Sequence, residues 1–452
     1  MRSGSMVGLD GEWSLYREAV PLLADIELAS KSAEGASCSP TRSAGTIAFL
    51  DPAQDTLRIT ADASGTFPLY FVEHADGFLF SSLLVPLARA TSASRDDLAT
   101  LEFLRQAYTV GGKTVYHGIR RLLPGQALTY QGPGTLRIME RSEAWADSTD
   151  LTRHQAADEA WSRLEATLRR GLPEHGSALM MSGGWDSRTL LAGADGIAKS
   201  LLCYSHGDVK SRELRIVSDL CRAADRPCRL EPLDNRVLDI GLLHEGFRRT
   251  ENVVFPQWHR AGRLLASEGI DCVTAGVFGE ILGGHYGPAM LAGTAGKIRS
   301  VATTMLGLAP ADTDAKGVTA HEYLRTGHLS HHWYLNRDFE ASLERPLQQM
   351  NNAIEGEIRR LRERGVEGEA RLVEAFVSEH RGTQYINAQL LSCRASADVF
   401  LPFAGRELFV FSTQVPLSAK IHNTVNRTML KQRAPALLRA PMAATQLPAG
   451  WP

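Results

Sequence analysis

Cysteine is scarce in this chain: six thiols in 452 residues, at 38, 203, 221, 228, 272 and 393. None forms a C-x-x-C pair and none has metal-ligand spacing. That excludes a zinc ribbon and a disulfide framework, and points to a reducing cytoplasm. The His331-His332 pair has no third ligand at metal spacing and reads as a solvated loop. No window is apolar enough to span a bilayer. Met1-Arg2-Ser3-Gly4-Ser5 opens without the apolar run of a secretory signal. Lys and Arg number 49 against 51 Asp and Glu, a net charge of −2 with no basic face. Nucleic acid is therefore not expected as the main partner. Repeats and low-complexity segments are also missing. What is left is ordinary globular protein, 44% apolar and 22% charged, long enough for two or three domains.

Against this background one stretch stands out. The apolar run Ala178-Leu179-Met180-Met181 enters Ser182-Gly183-Gly184-Trp185-Asp186-Ser187, and Thr189-Leu190-Leu191-Ala192 continues as a helix. This reads as a strand, a tight turn and a helix N-terminus. Glycines let backbone N–H groups approach an anion with no Cβ in the way. A helix start adds unpaired donors and a positive dipole end. The hydroxyls of Ser182 and Ser187 add two more donors. Asp186 would be repelled by a naked phosphate, so it implies a bridging divalent cation. S-G-G-x-D-S resembles the pyrophosphate loop of ATP pyrophosphatases, which split ATP between the α- and β-phosphates. No Gly-Lys-Ser/Thr follows, so it is not a Walker loop.

The rest of the chain divides into two patterns. The first ~130 residues alternate as short strands with turns. Thr46–Leu50 pairs with Thr56–Thr60 across Asp51–Asp55, and Leu69–Val72 with Phe78–Ser81 across Ala75-Asp76-Gly77. Asp97–Gln106 reads as a helix, Gln131–Gly134 as a turn, and the polar, aperiodic Trp145–Leu151 as a linker. Beyond it strands and helices alternate. Ala157–Arg170 carries Trp161, Leu164 and Leu168 on one stripe, and Arg212–Ala224 carries Leu214, Val217, Cys221 and Ala224. Ser200–Ser205, Arg229–Pro232 and Asp271–Ala275 read as further strands. Such alternation implies a parallel sheet covered on both faces, with ligands beyond the carboxyl ends of its strands. The Ser-Gly-Gly, His206-Gly207 and Gly276 turns all fall at that edge. Residues after ~300 read as helices, over Phe339–Arg364 and Glu369–Leu391.

Three segments of the second pattern together resemble the asparagine synthetase superfamily. The first is the loop. The second, Gly276-Val277-Phe278-Gly279-Glu280-Ile281-Leu282-Gly283-Gly284-His285-Tyr286, is similar to G-E-G-x-D-E-x-x-G-G-Y. The third, Phe400–Phe403 with Val415–Ile421, is similar to R-x-P-F-L-D and L-P-x-x-x-K. The first pattern resembles a class II glutamine amidotransferase domain. Ala61–Phe71 is similar to R-D-x-x-G-x-x-P-L-Y-Y, and Thr114–Gly125 to T-x-F-x-G-I-x-x-L-P-P-G. Those glutaminases carry a cysteine after the initiator Met, where this chain has Arg2; its first cysteine is Cys38. No thiolate nucleophile for glutamine is then expected. The same loss occurs in the β-lactam synthetases, carbapenam synthetases and lasso-peptide cyclases of the superfamily.

The resemblance implies an α/β protein of two parts: residues 1–145 as an α+β, sandwich-like (Ntn-type) amidotransferase domain without glutaminase activity, and residues 152–452 as a parallel-sheet ATP pyrophosphatase (PP-loop) domain of the adenine nucleotide α-hydrolase type with extra helices. It implies ATP and Mg2+ as cofactors, with Asp186 and Glu280 as metal ligands. Ser182, Gly183, Gly184, Asp186 and Ser187 would hold pyrophosphate, and Met180, His206 and Gly276 would contact adenine and ribose. Val277 replaces a glutamate of the family pattern, which removes an acid/base candidate; Tyr286, Glu379, His380 and Tyr385 are possible replacements. The family's catalytic lysine near the C-terminal helix has two candidates, Arg427 and Lys431. Phe247, Phe255, Trp258 and Trp333 suggest an apolar-aromatic acceptor pocket. The chain ends at Pro452, where family members usually continue, which suggests a more open site or one closed by a partner.

The implied activity is amide or lactam formation from a small-molecule or peptide carboxylate and an amine, in secondary metabolism or peptide macrolactam formation, with a peptide-processing protein as a possible partner and no membrane. Two alternatives stay open: an ATP-binding pseudoenzyme, and a tRNA-modifying pyrophosphatase. The latter would want a basic face and often a cysteine pair.

Overall fold

A computed structural model of the chain describes residues 46–51, 56–74, 77–140, 144–145, 148–208, 210–233, 240–251, 256–284, 302, 319–329, 335–443 and 448–450. Tyr286, Phe255, Trp333, the His331-His332 pair, Arg2 and Cys38 lie outside them.

The first pattern folds as two small antiparallel sheets. One has the order β1-β2-β6-β7, from Ile47–Asp51, Thr56–Thr60, Gln126–Tyr130 and Arg137–Glu140. The other is β4-β3-β5, from Gly77–Ser81, Tyr70–His74 and Arg120–Arg121. Strand alternation divides the labour. Ile59, Phe71 and Leu128 meet between the sheets with Phe78 and Tyr130, whose rings stack at 4.9 Å. The next residue, Val72, faces the other way and packs on Leu87 and Ala88 of α1 (Leu84–Ala90). Helix α2 (Asp97–Gln106) begins at Asp96, whose side chain accepts from the Ala99 amide at 2.9 Å.

The second pattern is built on a five-stranded sheet ordered β10-β9-β8-β11-β12, from Cys228–Pro232, Leu201–Gly207, Ser177–Met180, Cys272–Thr274 and Asp398–Phe400. Every pairing in it is parallel. Helix α3 (Arg153–Gly171) enters through a capping box of Thr152 and Gln155. It is followed by α4 (Trp185–Gly193), α5 (Arg212–Ala223), α6 (Ile240–Thr250), α7 (Pro256–Ser267) and the one-turn α8 (Gly279–Leu282). The later helices are α9 (Ala320–Leu329), α10 (Arg337–Ala341), α11 (Pro346–Glu363), α12 (Glu369–Val377), α13 (Asn387–Leu391), α14 (Arg406–Gln414), α15 (Leu417–Lys420) and α16 (Thr424–Arg433). Central strand β8 is buried on both faces, which is why its sequence reads as a continuous apolar run and not as an alternation.

Two expectations are corrected. The helix read over Phe339–Arg364 is two: Pro346 cannot continue a helix, and Arg345 before it turns at φ 44°. The helix over Glu369–Leu391 is interrupted by a π-helical stretch, Ser378–Ile386. Trp145, at the start of the segment read as a linker, is fully buried, edge-on to Phe409 at 6.4 Å, and its amide donates to Thr413 Oγ1 at 3.0 Å.

Charged groups tie the two parts together. Glu251, at the end of α6, accepts from the Leu84 and Val85 amides at 2.6 and 2.7 Å and so caps α1 from the other side. Glu140 of β7 accepts from Arg360 of α11 at 3.3 Å. Arg121 of β5 donates to Thr383 of the π-helical stretch at 2.8 Å.

Candidate active site

Strand order in the parallel sheet reverses between β8 and β11, since the chain winds outward to β9 and β10 on one side and to β12 on the other. A crevice opens at such a switch point, beyond the carboxyl ends of the strands. The loop Ser182–Gly184 leaves β8 there, and the turn Gly276–Phe278 leaves β11. Ser182 and Ser187 hold the loop shut: their hydroxyls lie 3.0 Å apart, and Ser187 Oγ bridges the Ser182 amide at 3.1 Å and its carbonyl at 3.0 Å. The Gly184 amide donates to Ser182 Oγ at 3.2 Å. Helix α4 has no side-chain cap, so no side chain occupies its first-turn amides as a cap would. The Gly183 amide has an acid in front of it, Glu213 Oε1 of α5, at 3.4 Å.

The two turns are pressed together at Asp186. A Cβ on Gly276 would lie 2.6 Å from Asp186 Cβ, and one on Gly279 would lie 2.6 Å from Asp186 Cγ. Only glycine permits this approach. It brings Glu280, in the first turn of α8, beside the first turn of α4. Burial pushes the Asp186 carboxyl well up from its ordinary range, and the Glu280 charge adds to the shift. Asp186 Oδ1 is buried with no hydrogen-bond partner. Two acids that repel each other under a cradle of donors are the oxygen set a hard divalent cation takes. Among the described residues no group of three or more His, Cys, Asp or Glu could hold a metal, so a cation here would draw its other ligands from phosphate and water.

The turn after β11 is strained. Phe278 has φ 70°, a left-handed conformation, where the G-E-G-x-D-E pattern has glycine. Its buried ring is held edge-on to Phe409 at 5.6 Å. Core packing keeps the backbone in place at this position. Val277 beside it is buried as well.

The adenosine-contact candidates line the same edge. Met180 is buried at the end of β8, and Gly276 closes on Asp186. His206, at the end of β9, sits edge-on to Trp258 at 5.4 Å and to Tyr204 at 5.9 Å. Burial lowers its pKa from 6.5 to about 4 against the pull of Glu231, so the ring is neutral at pH 7, and its Nδ1 is buried without a partner. Of the two cationic candidates, Arg427 lies over the Trp185 ring at 5.6 Å, and burial lowers its pKa, with Arg153 nearby. Lys431, one turn further along α16, is exposed.

Other candidates lie elsewhere or serve other partners. Glu379 is buried and bonded to Arg360 and, at 2.7 Å, to Arg364. Burial alone would raise its pKa; the two arginines outweigh burial and hold it low. His380 is buried, with Nδ1 2.9 Å from the Phe376 carbonyl. Tyr385 carries Arg381 over its ring at 5.3 Å. Lys420, of the L-P-x-x-x-K segment, is buried on Glu374 at 2.9 Å. Residues Pro435–Ala443 lie over the loop: a Cβ on Gly183 would meet Ala443 Cβ at 2.8 Å. The anchor of that cover is Arg188, which sequence reading passed over. The signal for it was a charged residue on the same helix face as Leu191, where burial demands partners.

Residues 26–139 match the glutamine amidotransferase domain model, so the N-terminal region is similar to that domain. The comparison with curated proteins returns no match. Among solved structures, the U34-tRNA thiolase NcsA from Methanococcus maripaludis, with its 4Fe-4S cluster, aligns at 13% identity over 50% of this chain and 78% of its own, with a TM-score of 0.23. Among the described residues, no helix is long and apolar enough to cross a membrane.

Proposed function

We propose that this chain is an ATP-dependent, AMP-forming carbon–nitrogen ligase that joins a carboxylate to an amine without taking ammonia from glutamine. The observation that carries the reading is the Asp186–Glu280 pair, set at the switch point beneath the glycine loop. These acids would hold Mg2+, which when bound neutralises charge on the departing pyrophosphate. The Gly184 amide, the first-turn amides of α4 and the hydroxyls of Ser182 and Ser187 bind the β- and γ-phosphates. Met180, Gly276 and His206 border the adenosine. Arg427, held at Trp185, faces the developing phosphate charge with its planar fork. A substrate carboxylate oxygen attacks the α-phosphorus, and the bond to pyrophosphate breaks. The amine then attacks the acyl carbon and AMP leaves.

Glutamine independence has one support in the sequence. Ala61 stands where the amidotransferase pattern has arginine, offering no cation to an amino-acid carboxylate. The N-terminal domain then acts as a support for the ligase domain. Its amine comes from a small molecule or a peptide, the latter with a processing partner.

The test is pyrophosphate release from ATP and Mg2+ with pooled carboxylates, in wild type and Asp186→Asn. Carboxylate-dependent release, lost by about a hundredfold or more in the variant, is expected. Binding of ATP with no release from any pool would favour a second reading, an ATP-binding protein without turnover, which the Val277 substitution and the covering Ala443 support.

A further inference from the structure

Arg188 is a fully buried guanidinium with no acid among the groups that act on it. Burying a cation without a carboxylate partner is unfavourable. Burial pulls its pKa down to about 10, which still leaves it charged at pH 7. Its partners are backbone carbonyls and the Trp185 ring, over which it lies at 6.0 Å. Nη1 donates to Leu437 O at 2.9 Å and Ala440 O at 3.0 Å. Nη2 donates to Pro441 O at 2.9 Å and Gly183 O at 3.3 Å. One side chain therefore grips both the C-terminal segment and the serine–glycine loop. Leu437, Leu438, Ala440 and Met442 bury their side chains as the segment lies down, and Ala449 and Gly450 return to bond it.

The grip on Gly183 O has a geometric consequence. A trans peptide points its C=O and its following N–H in opposite directions. Holding Gly183 O toward Arg188 therefore turns the Gly184 N–H away from Arg188, to the side where Ser182 Oγ meets it. The same charge lies one peptide behind the loop's donors, where an anion in front of them would compensate it.

We propose that Arg188 is a positioning residue that couples anion occupancy of the Ser182–Gly184 loop to docking of Leu437–Ala443. This rests on the reading of the loop as a phosphate site. By linkage, an anion that tightens the segment must itself be bound more tightly when the segment is docked.

The experiment uses the full chain with Mg2+ and two probes, ATP and inorganic pyrophosphate. Calorimetry reads binding, and hydrogen exchange reads peptides covering residues 437–443. In wild type, saturating probe is expected to slow exchange there by about tenfold, within the usual range of coupling between sites. Arg188→Lys keeps the charge but not the fork, and is expected to lose most of that protection and weaken probe binding by about tenfold. An increased KM for ATP at near-constant kcat would accompany it. Binding in wild type with no change in exchange overturns the inference alone, and needs no variant to fold. Binding of neither probe overturns the loop reading and the inference together. Equal protection in Arg188→Lys and wild type also overturns it, since the arginine would then serve only as a structural pin.

Discussion

Two sets of buried carboxylates in this molecule behave in opposite ways. At the crevice, Asp186 faces another acid, keeps one oxygen without a partner, and is driven up in pKa by burial and by Glu280. Between the two parts of the chain, Glu379 is more deeply buried, but Arg364 and Arg360 hold it low. Glu357 beside it is held at about 2, because His380 and Arg360 outweigh its burial. Burial is common to both; the partners differ. A charge paired on every side is committed to holding elements together. A charge buried against its own kind, beside donors that face a crevice, is available to a ligand. The comparison separates support from chemistry more sharply than residue type does.

The two sites should therefore separate stability from activity. Asp186→Asn, the variant with the largest expected loss of turnover, should be no less stable than wild type. The folded chain holds the Asp186 proton to higher pH than the unfolded chain does, so losing it as pH rises costs stability. At pH 8 asparagine escapes that cost, and thermal melting of the variant should be at or above wild type. A clear fall in melting temperature would put Asp186 with the supporting groups. Glu379→Gln should do the reverse. It leaves two buried arginines short of a counter-charge and should cost about 3 kcal/mol in a denaturant titration. The pyrophosphate release of the fraction still folded should be retained. Loss of turnover without loss of stability would make the inter-domain network part of the chemistry.

A smaller effect concerns His206. Its folded pKa of about 4 lies below the ordinary 6.5, so as pH falls below 6.5 the unfolded chain takes up the proton first. Its contribution is complete above pH 6.5 and declines as pH falls toward 4. His206→Gln should flatten the stability profile in that window and leave it unchanged above it.

Much of this was legible in the chain before any coordinates. The β8 strand, the loop and α4 follow from an apolar run, two glycines and a helical stripe, all local signals, and the structure has them where the periodicity put them. The α5 stripe and the hairpins were legible for the same reason. What periodicity could not supply was anything decided by contact between distant segments. Phe278 adopts a conformation that a phenylalanine avoids on its own, because Phe409 and the neighbouring core hold its ring. Trp145 sits in a polar, aperiodic stretch, yet it is buried because α14 offers it a partner. Glu379 looks like a free acid in one dimension, and the folding of α11 against it removes that freedom. Arg188 and the Leu437–Ala443 segment, some 250 residues apart, meet only in the fold. Residue chemistry and local spacing determined which groups could bind phosphate. Tertiary packing decided which acids meet a counter-charge and which meet another acid, because a pKa depends on every charge within reach, and reach is set by the fold.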